Sequence, residues 1–296
     1  METRQSRAGT IERNGVRLSY WVAGQGPPLL LIQGVGLPGR AWQPQIEPLR
    51  ERYTVISFDN RGVGGSDGGP DPLTIDAMAA DAAAILDSEN IDHVHVMGHS
   101  MGGLIALRFA LMNPARIKSL ILACTFADGA APTRFSWKMA ALGIRCRVGT
   151  RAMRRNAMLA MIMPAHYLRS IDRSRLAAEL APMFGRDLAD QPPILMRQLR
   201  AMSRYTALAQ LRLLYGIPVL VVSAAHDPIA PPALGRAIAG GISTARFAEF
   251  TDASHAVPIQ CADRFNDLVR RHLAAADRRP APLLPATAAL STRSGG

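Results

Sequence analysis

The segment Gly98-His99-Ser100-Met101-Gly102-Gly103 constrains this chain more than any other. It follows the alternating, β-branched run His93-Val94-His95-Val96-Met97, which reads as a strand. Beyond it, Leu104, Leu107, Ala110 and Leu111 recur at helical spacing until Asn113-Pro114 stops the pattern. A strand that becomes a helix across one residue leaves no room for side chains beside the turn, so a small residue is needed two positions before the serine and two after. The serine backbone is then strained. That strain lifts its hydroxyl clear of the sheet and turns the following N–H, that of Met101, toward whatever the hydroxyl attacks.

A lone hydroxyl is a poor nucleophile and needs a histidine to take its proton and a carboxylate to orient that histidine. Both are found at later strand ends. The buried run Ile217 to Val222 is followed by His226-Asp227-Pro228, and the short strand Ala245 to Phe250 by a polar turn and His255. Ser100, Asp227 and His255 are therefore the candidate catalytic residues. Asp128, beyond strand Ile117–Ala123, is a rival acid, disfavoured because its segment opens an insertion. Asp252, close to His255, reads as a turn-shaping residue. His93, His95, His99 and His226 read as ordinary strand or turn histidines, without a catalytic role.

Acyl transfer places negative charge on the former carbonyl oxygen, which calls for two converging N–H donors. Met101 supplies one. The turn Gln33-Gly34-Val35-Gly36, after strand Leu29 to Ile32, supplies the other through the Val35 amide. Strand Tyr53 to Phe58 then leads into a glycine-rich loop carrying Asp59 and Arg61, expected to be a salt-bridged brace behind the site.

Taken in order, "QGVG", "FDNRGVGGSD", "GHSMGG", "HDP" and "SHAVP" resemble the α/β-hydrolase superfamily, in its small bacterial serine esterase form with a helical cap. The resemblance runs from the first hairpin to the last helix. It implies an α/β fold: a mostly parallel central sheet, helices on both faces, and the chain order Ser, Asp, His. It implies neither cofactor nor metal. Members usually carry His-Gly where this chain has Gln33-Gly34; the difference touches the side-chain braces of the loop and spares its backbone donor. "FDNRG" with "QG" is closest to methylesterases, lactonases and perhydrolases. Serine at the turn, where dehalogenases and epoxide hydrolases need a carboxylate, disfavours their chemistry.

At 296 residues the chain can bury one large core and still carry an insertion. We expect a core from 1–129 and 214–276, a helical cap at 130–213, and a disordered proline- and alanine-rich tail at 277–296. Asn14-Gly15 reads as the turn of an opening hairpin. Cys124, Cys146 and Cys261 are far apart in sequence and suggest a reducing compartment without a disulfide frame or zinc site. No apolar leader and no membrane-length apolar run is evident, so a cytoplasmic location is expected. Residues 130–213 hold fifteen Lys and Arg against four acids (Asp172, Glu179, Asp187, Asp190), which equals the +11 of the entire chain. They also hold eight of its thirteen methionines. Such a lid suits apolar substrates, while a basic face steers anionic ones; contact with lipid headgroups is not favoured. No nucleic-acid module appears. The expected activity is hydrolysis of a small, largely apolar carboxylic ester or lactone through an acyl-enzyme. The same triad would serve perhydrolysis, carbon–carbon bond hydrolysis or acyl transfer, and a hydrolase-like receptor or interaction scaffold is the rival of another class.

Overall fold

Short apolar runs bounded by turn residues become eight strands of one sheet. The computed structural model describes residues 6–133 and 137–278, so the tail expected at 277–296 lies outside the described residues from 279 onward. β1 (Ser6–Arg13) and β2 (Val16–Ala23) form the opening hairpin, with Asn14 and Gly15 both at positive φ (51° and 70°), as a tight two-residue turn requires. There follow β3 (Pro28–Ile32), α1 (Gln43–Leu49), β4 (Thr54–Phe58), α2 (Ile75–Ser88), β5 (Val94–His99), α3 (Met101–Met112) and β6 (Ile117–Ala123). The inserted segment supplies α4 (Trp137–Arg145), α5 (Arg151–Ile162), α6 (Ala165–Arg169), α7 (Arg173–Phe184) and α8 (Leu195–Ser203). The chain then returns through β7 (Val219–Ala224), α9 (Pro232–Gly241), β8 (Ala245–Phe250), α10 (Val257–Gln260) and α11 (Ala262–Asp277).

The strand order is β1-β2-β4-β3-β5-β6-β7-β8. β1 with β2 and β2 with β4 pair antiparallel, and every later pairing is parallel. The period of two along each central strand sorts its side chains onto two faces. Leu30, Ile56, Val96, Leu120 and Val221 pack under α2, α3 and α9. Leu29, Leu31, Val55, Met97, Ile121 and Val222 pack under α1 and α11. A separate apolar cluster built on Leu159, Ile162, Leu180, Phe184 and Leu188 holds the inserted helices together and touches Ala256.

Several strand limits shift by one or two residues from expectation, and two of the shifts have clear local reasons. β7 begins at Val219 rather than Ile217 because Pro218 has no N–H for the ladder; its carbonyl still accepts from Leu120. β5 runs on to His99, since Gly98 and His99 stay in register with Leu122 and Ala123 of β6. The loop after β4 is also braced differently from the expected salt bridge. Asp59 accepts the N–H groups of Gly39 (2.7 Å) and Gly65 (2.8 Å), whereas Arg61 pairs with Asp81 of α2 (2.5 and 2.8 Å). No helix of the described residues is long and apolar enough to cross a membrane.

Candidate active site

Ser100 sits between β5 and α3 at φ 55°, ψ −123°, a conformation an L-residue holds only when its surroundings force it. Those surroundings are close. A Cβ at Gly98 would come within 2.3 Å of the Gly102 carbonyl oxygen, and one at Gly102 within 2.1 Å of the Ile32 oxygen. The Ser100 N–H donates to the Ala123 carbonyl (3.0 Å), and its own carbonyl accepts the Thr125 hydroxyl (2.6 Å). The strained turn is thus tied to the end of β6 and to the residues just beyond it.

At the neighbouring strand ends, the imidazole of His255 donates through Nδ1 to Asp227 Oδ2 at 2.8 Å, with both side chains buried. The other oxygen of Asp227 accepts the N–H groups of Ile229 (2.8 Å) and Ala230 (2.9 Å). Burial alone would push this carboxyl up. The His255 charge, its hydrogen bond and the two backbone donors outweigh that, leaving Asp227 below the usual carboxylate range. Asp128 lies elsewhere: its carboxylate accepts the Ala130 N–H and its backbone pairs with Thr206. Asp252 is bound by Arg264 on α11. Ser100 and His255 face one cavity of about 480 Å³, together with Gln33, Gly34 and Val35. Among the described residues the Ser100 hydroxyl donates to no protein group, and catalytic hydrogen bonds of this kind commonly tighten only when substrate is bound.

Val35 lines the same cavity as Ser100, and Met101 opens α3. Gln33 stands where a histidine is usual, and its Oε1 accepts the N–H of its own neighbour Gly34 (3.0 Å). Asn60 donates to the Gln33 carbonyl (2.9 Å). The inserted helices complete the walls with Ile144, Met158, Met161, Phe184, Leu199 and Met202, and bring Arg147 and Arg186 to a lining that is otherwise largely apolar. Of the insertion's methionines whose side chains are described, these three meet the cavity, while Met153 and Met196 point to solvent.

His99 has more to do than an ordinary strand histidine. Its Nε2 bonds the His255 carbonyl oxygen at 2.9 Å, and the two rings lie 4.8 Å apart. Burial pushes it down to about 3, so it is neutral and donates, fixing the backbone that carries His255. Cys124, at φ 46° just beyond β6, packs its thiol against Asp227. His99, Cys124 and His255 bring potential metal-ligand atoms within 4.8 Å of one another, but the described geometry engages each: His255 with Asp227, His99 with a carbonyl, Cys124 with Asp227. Only the clustering of these residues at the ends of adjacent strands could have signalled their contacts.

Known proteins resemble this chain over most of its length. The RutD protein of Azorhizobium caulinodans, named provisionally as a carbamate hydrolase, is 32% identical over 257 residues, covering 85% of this chain and 93% of RutD. The enol-lactonase of Burkholderia xenovorans LB400 superposes with a TM-score of 0.75 at 26% identity, covering 90% of this chain and all of the lactonase. A thermophilic esterase of Thermogutta terrifontis superposes at 0.73 and 26% identity, covering 93% and 99% of the two chains. The sequence model of the alpha/beta hydrolase fold matches residues 27–260, within which lie the serine turn, the acid and the histidine, and the chain belongs to that family.

Proposed function

We propose that the chain is a serine hydrolase that cleaves a carboxylic ester or lactone of a small, largely apolar substrate. The observation that carries this reading is the His255–Asp227 bond at 2.8 Å, on the wall of the cavity that also holds the strained Ser100. As Ser100 Oγ attacks the carbonyl carbon, His255 takes its proton and Asp227 holds the resulting imidazolium. The Val35 and Met101 N–H groups bind the oxyanion of the tetrahedral intermediate. Collapse expels the alcohol, which receives the proton from His255, and leaves an acyl-serine. Water, activated by the same histidine, repeats the path and frees the acid. The apolar walls favour an acyl or alcohol part of hydrocarbon character, and likeness to an enol-lactonase and an esterase supports the substrate class.

Turnover of p-nitrophenyl esters, a lactone series and a p-nitrophenyl carbamate tests the proposal. Ester or lactone cleavage should dominate. Ser100→Ala should keep its fold and lose roughly a thousandfold or more in rate, and a fluorophosphonate should label the wild type at Ser100 alone. Labelling at another residue, or ester turnover that survives Ser100→Ala, would remove the basis for the reading. A receptor that merely shares the fold would show no turnover at all.

A further inference from the structure

The donor proposed at Val35 sits on a loop with two glycines, one of them (Gly36) at φ 65°. Such a loop has several accessible peptide orientations, and only one aims the Val35 N–H at the serine. From Gly34 to Leu37 the structure ties down every other N–H: Gly34 to Gln33 Oε1, Gly36 to Gln198 Oε1 (2.7 Å), Leu37 to the Gly34 carbonyl (3.4 Å). The Val35 N–H alone has no acceptor among the described residues. Val35 is half-buried on the wall of the cavity that holds Ser100, so an oxyanion formed there would find this N–H without a competing protein acceptor among the described residues.

The tie at Gly36 comes from far away in the chain. Gln198 lies on α8, fully buried, and its amide has two ends in use: Oε1 accepts from Gly36, and Nε2 donates to the Arg61 carbonyl at 3.1 Å. Arg186, at the end of the same insertion's α7, donates to the Gly36 carbonyl at 2.6 Å. The two peptide groups that follow Val35 are therefore held by inserted side chains, while Gln33 and Asn60 hold the single Gln33–Gly34 peptide before it. With its neighbours fixed on both sides, the Val35 peptide plane has one orientation. The insertion reaches the histidine side as well: the Ala256 N–H, next to His255, donates to the Ile162 carbonyl at the end of α5 (3.0 Å).

We propose that Gln198 is a positioning residue for the oxyanion: it holds the Val35 donor at Ser100, so the inserted helices set transition-state stabilisation as well as the shape of the pocket. A glutamine is suited to this because one side chain satisfies a buried N–H and a buried carbonyl together. An apolar residue of the same size fills the space but releases both. An interaction that acts only where charge develops changes kcat and spares ground-state binding. The inference rests on the serine hydrolase reading above.

The test compares wild type, Gln198→Met and Gln198→Glu in ester kinetics and in binding two ketones of equal chain length. A trifluoromethyl ketone adds Ser100 and places an oxyanion at the Val35 and Met101 donors; the matching methyl ketone only occupies the pocket. Gln198→Met should lower kcat by about tenfold or more, less than the loss expected for deleting a donor outright. KM should stay within about twofold. Affinity for the trifluoromethyl ketone should fall by the same factor as kcat, with the methyl ketone unaffected. Gln198→Glu keeps the acceptor for Gly36 and should recover part of the preference, more so at acid pH where its protonated form donates to Arg61. Should Gln198→Met not fold, that pH-dependent recovery in Gln198→Glu decides the matter. An unchanged ketone ratio in the variants, or equal loss of both ketones with a raised KM, would make Gln198 a packing tie and overturn the proposal. Wild type that fails to turn over ester or to prefer the trifluoromethyl ketone would instead sink the hydrolase reading itself.

Discussion

Asp227 keeps its carboxyl below the usual range in a place where burial by itself pushes it up. Three donors keep it so, and one of them is His255. Replacing Asp227 with Asn removes the charge that stabilises the imidazolium and permits the wrong tautomer of His255, so ester turnover should fall by about a thousandfold or more while substrate binding is preserved. Asp128→Asn should change the rate by less than about twofold, because Asp128 caps a turn beside Ala130. Steady-state kinetics on the two variants check this, and a reversed order would move the acid to the end of β6. Ser100, Asp227 and His255 could be singled out as candidates in the sequence because each follows the end of a strand-like run in the order the chemistry needs. His99, Gln198 and Arg186 could not. Their partners are backbone atoms of His255 and Gly36, and no spacing of side chains records which carbonyl or N–H a fold brings into reach.

β5 carries two histidines that the fold keeps neutral. Burial holds His95 down to about 4 against the pull of Asp277, and holds His99 down to about 3. His95 uses Nδ1 on Ser119 (2.8 Å) and Nε2 on Asp277 (3.1 Å). In the unfolded chain a histidine titrates near 6.5. As pH falls below that, the unfolded state takes protons that folded His95 and His99 refuse until about 4 and 3, so their contribution to stability is intact above 6.5 and declines toward 4. Urea unfolding from pH 7 to pH 4 should show that decline. His95→Gln, less stable at pH 7, should flatten the slope by up to about 1.4 kcal/mol per pH unit, the weight of one proton. A slope unaltered by the substitution would place the acid sensitivity elsewhere. At this scale the existence and type of the strands were readable from periodicity, and their ends were not: Pro218 delayed β7, and pairing with β6 carried β5 through Gly98 and His99.

For the whole molecule, the location of the charge was legible and its partners were not. The insertion holds the +11. Yet Arg151 and Arg155 are committed to Asp187 and Asp190, Arg175 to Glu179, and Arg197 to Asp71. At the cavity, Arg186 spends its donors on the carbonyls of Gly36, Phe184 and Asp190, and Arg147 rests on Met196 Sδ. Neither forms a salt bridge with a carboxylate among the described residues, although Asp190 acts on Arg186 at a distance, so both bring positive charge to the cavity wall. If substrate capture limits the rate, kcat/KM for an anionic ester should fall as salt shortens the Debye length from roughly 30 to 8 Å, while a neutral ester of similar size should hold steady. Arg147→Gln should flatten that salt response, and Arg175→Gln, away from the cavity and already paired, should leave most of it. Parallel salt profiles for the two esters would mean that these arginines only solvate the insertion.

The neighbouring strands β6 and β7 are separated in the chain by residues 124–218, a stretch that contains the entire insertion. At roughly 5–20 residues per second, a ribosome spends about 5–20 s between finishing one and starting the other. For that interval Leu120, Ile121, Leu122 and Ala123 present an unpaired, apolar strand edge to the solvent. The helices that shape the pocket thus impose a waiting time on the sheet. Protease pulses on ribosome-bound chains halted near residue 214 should cut at β6, and chains long enough to expose β7 and β8 should resist.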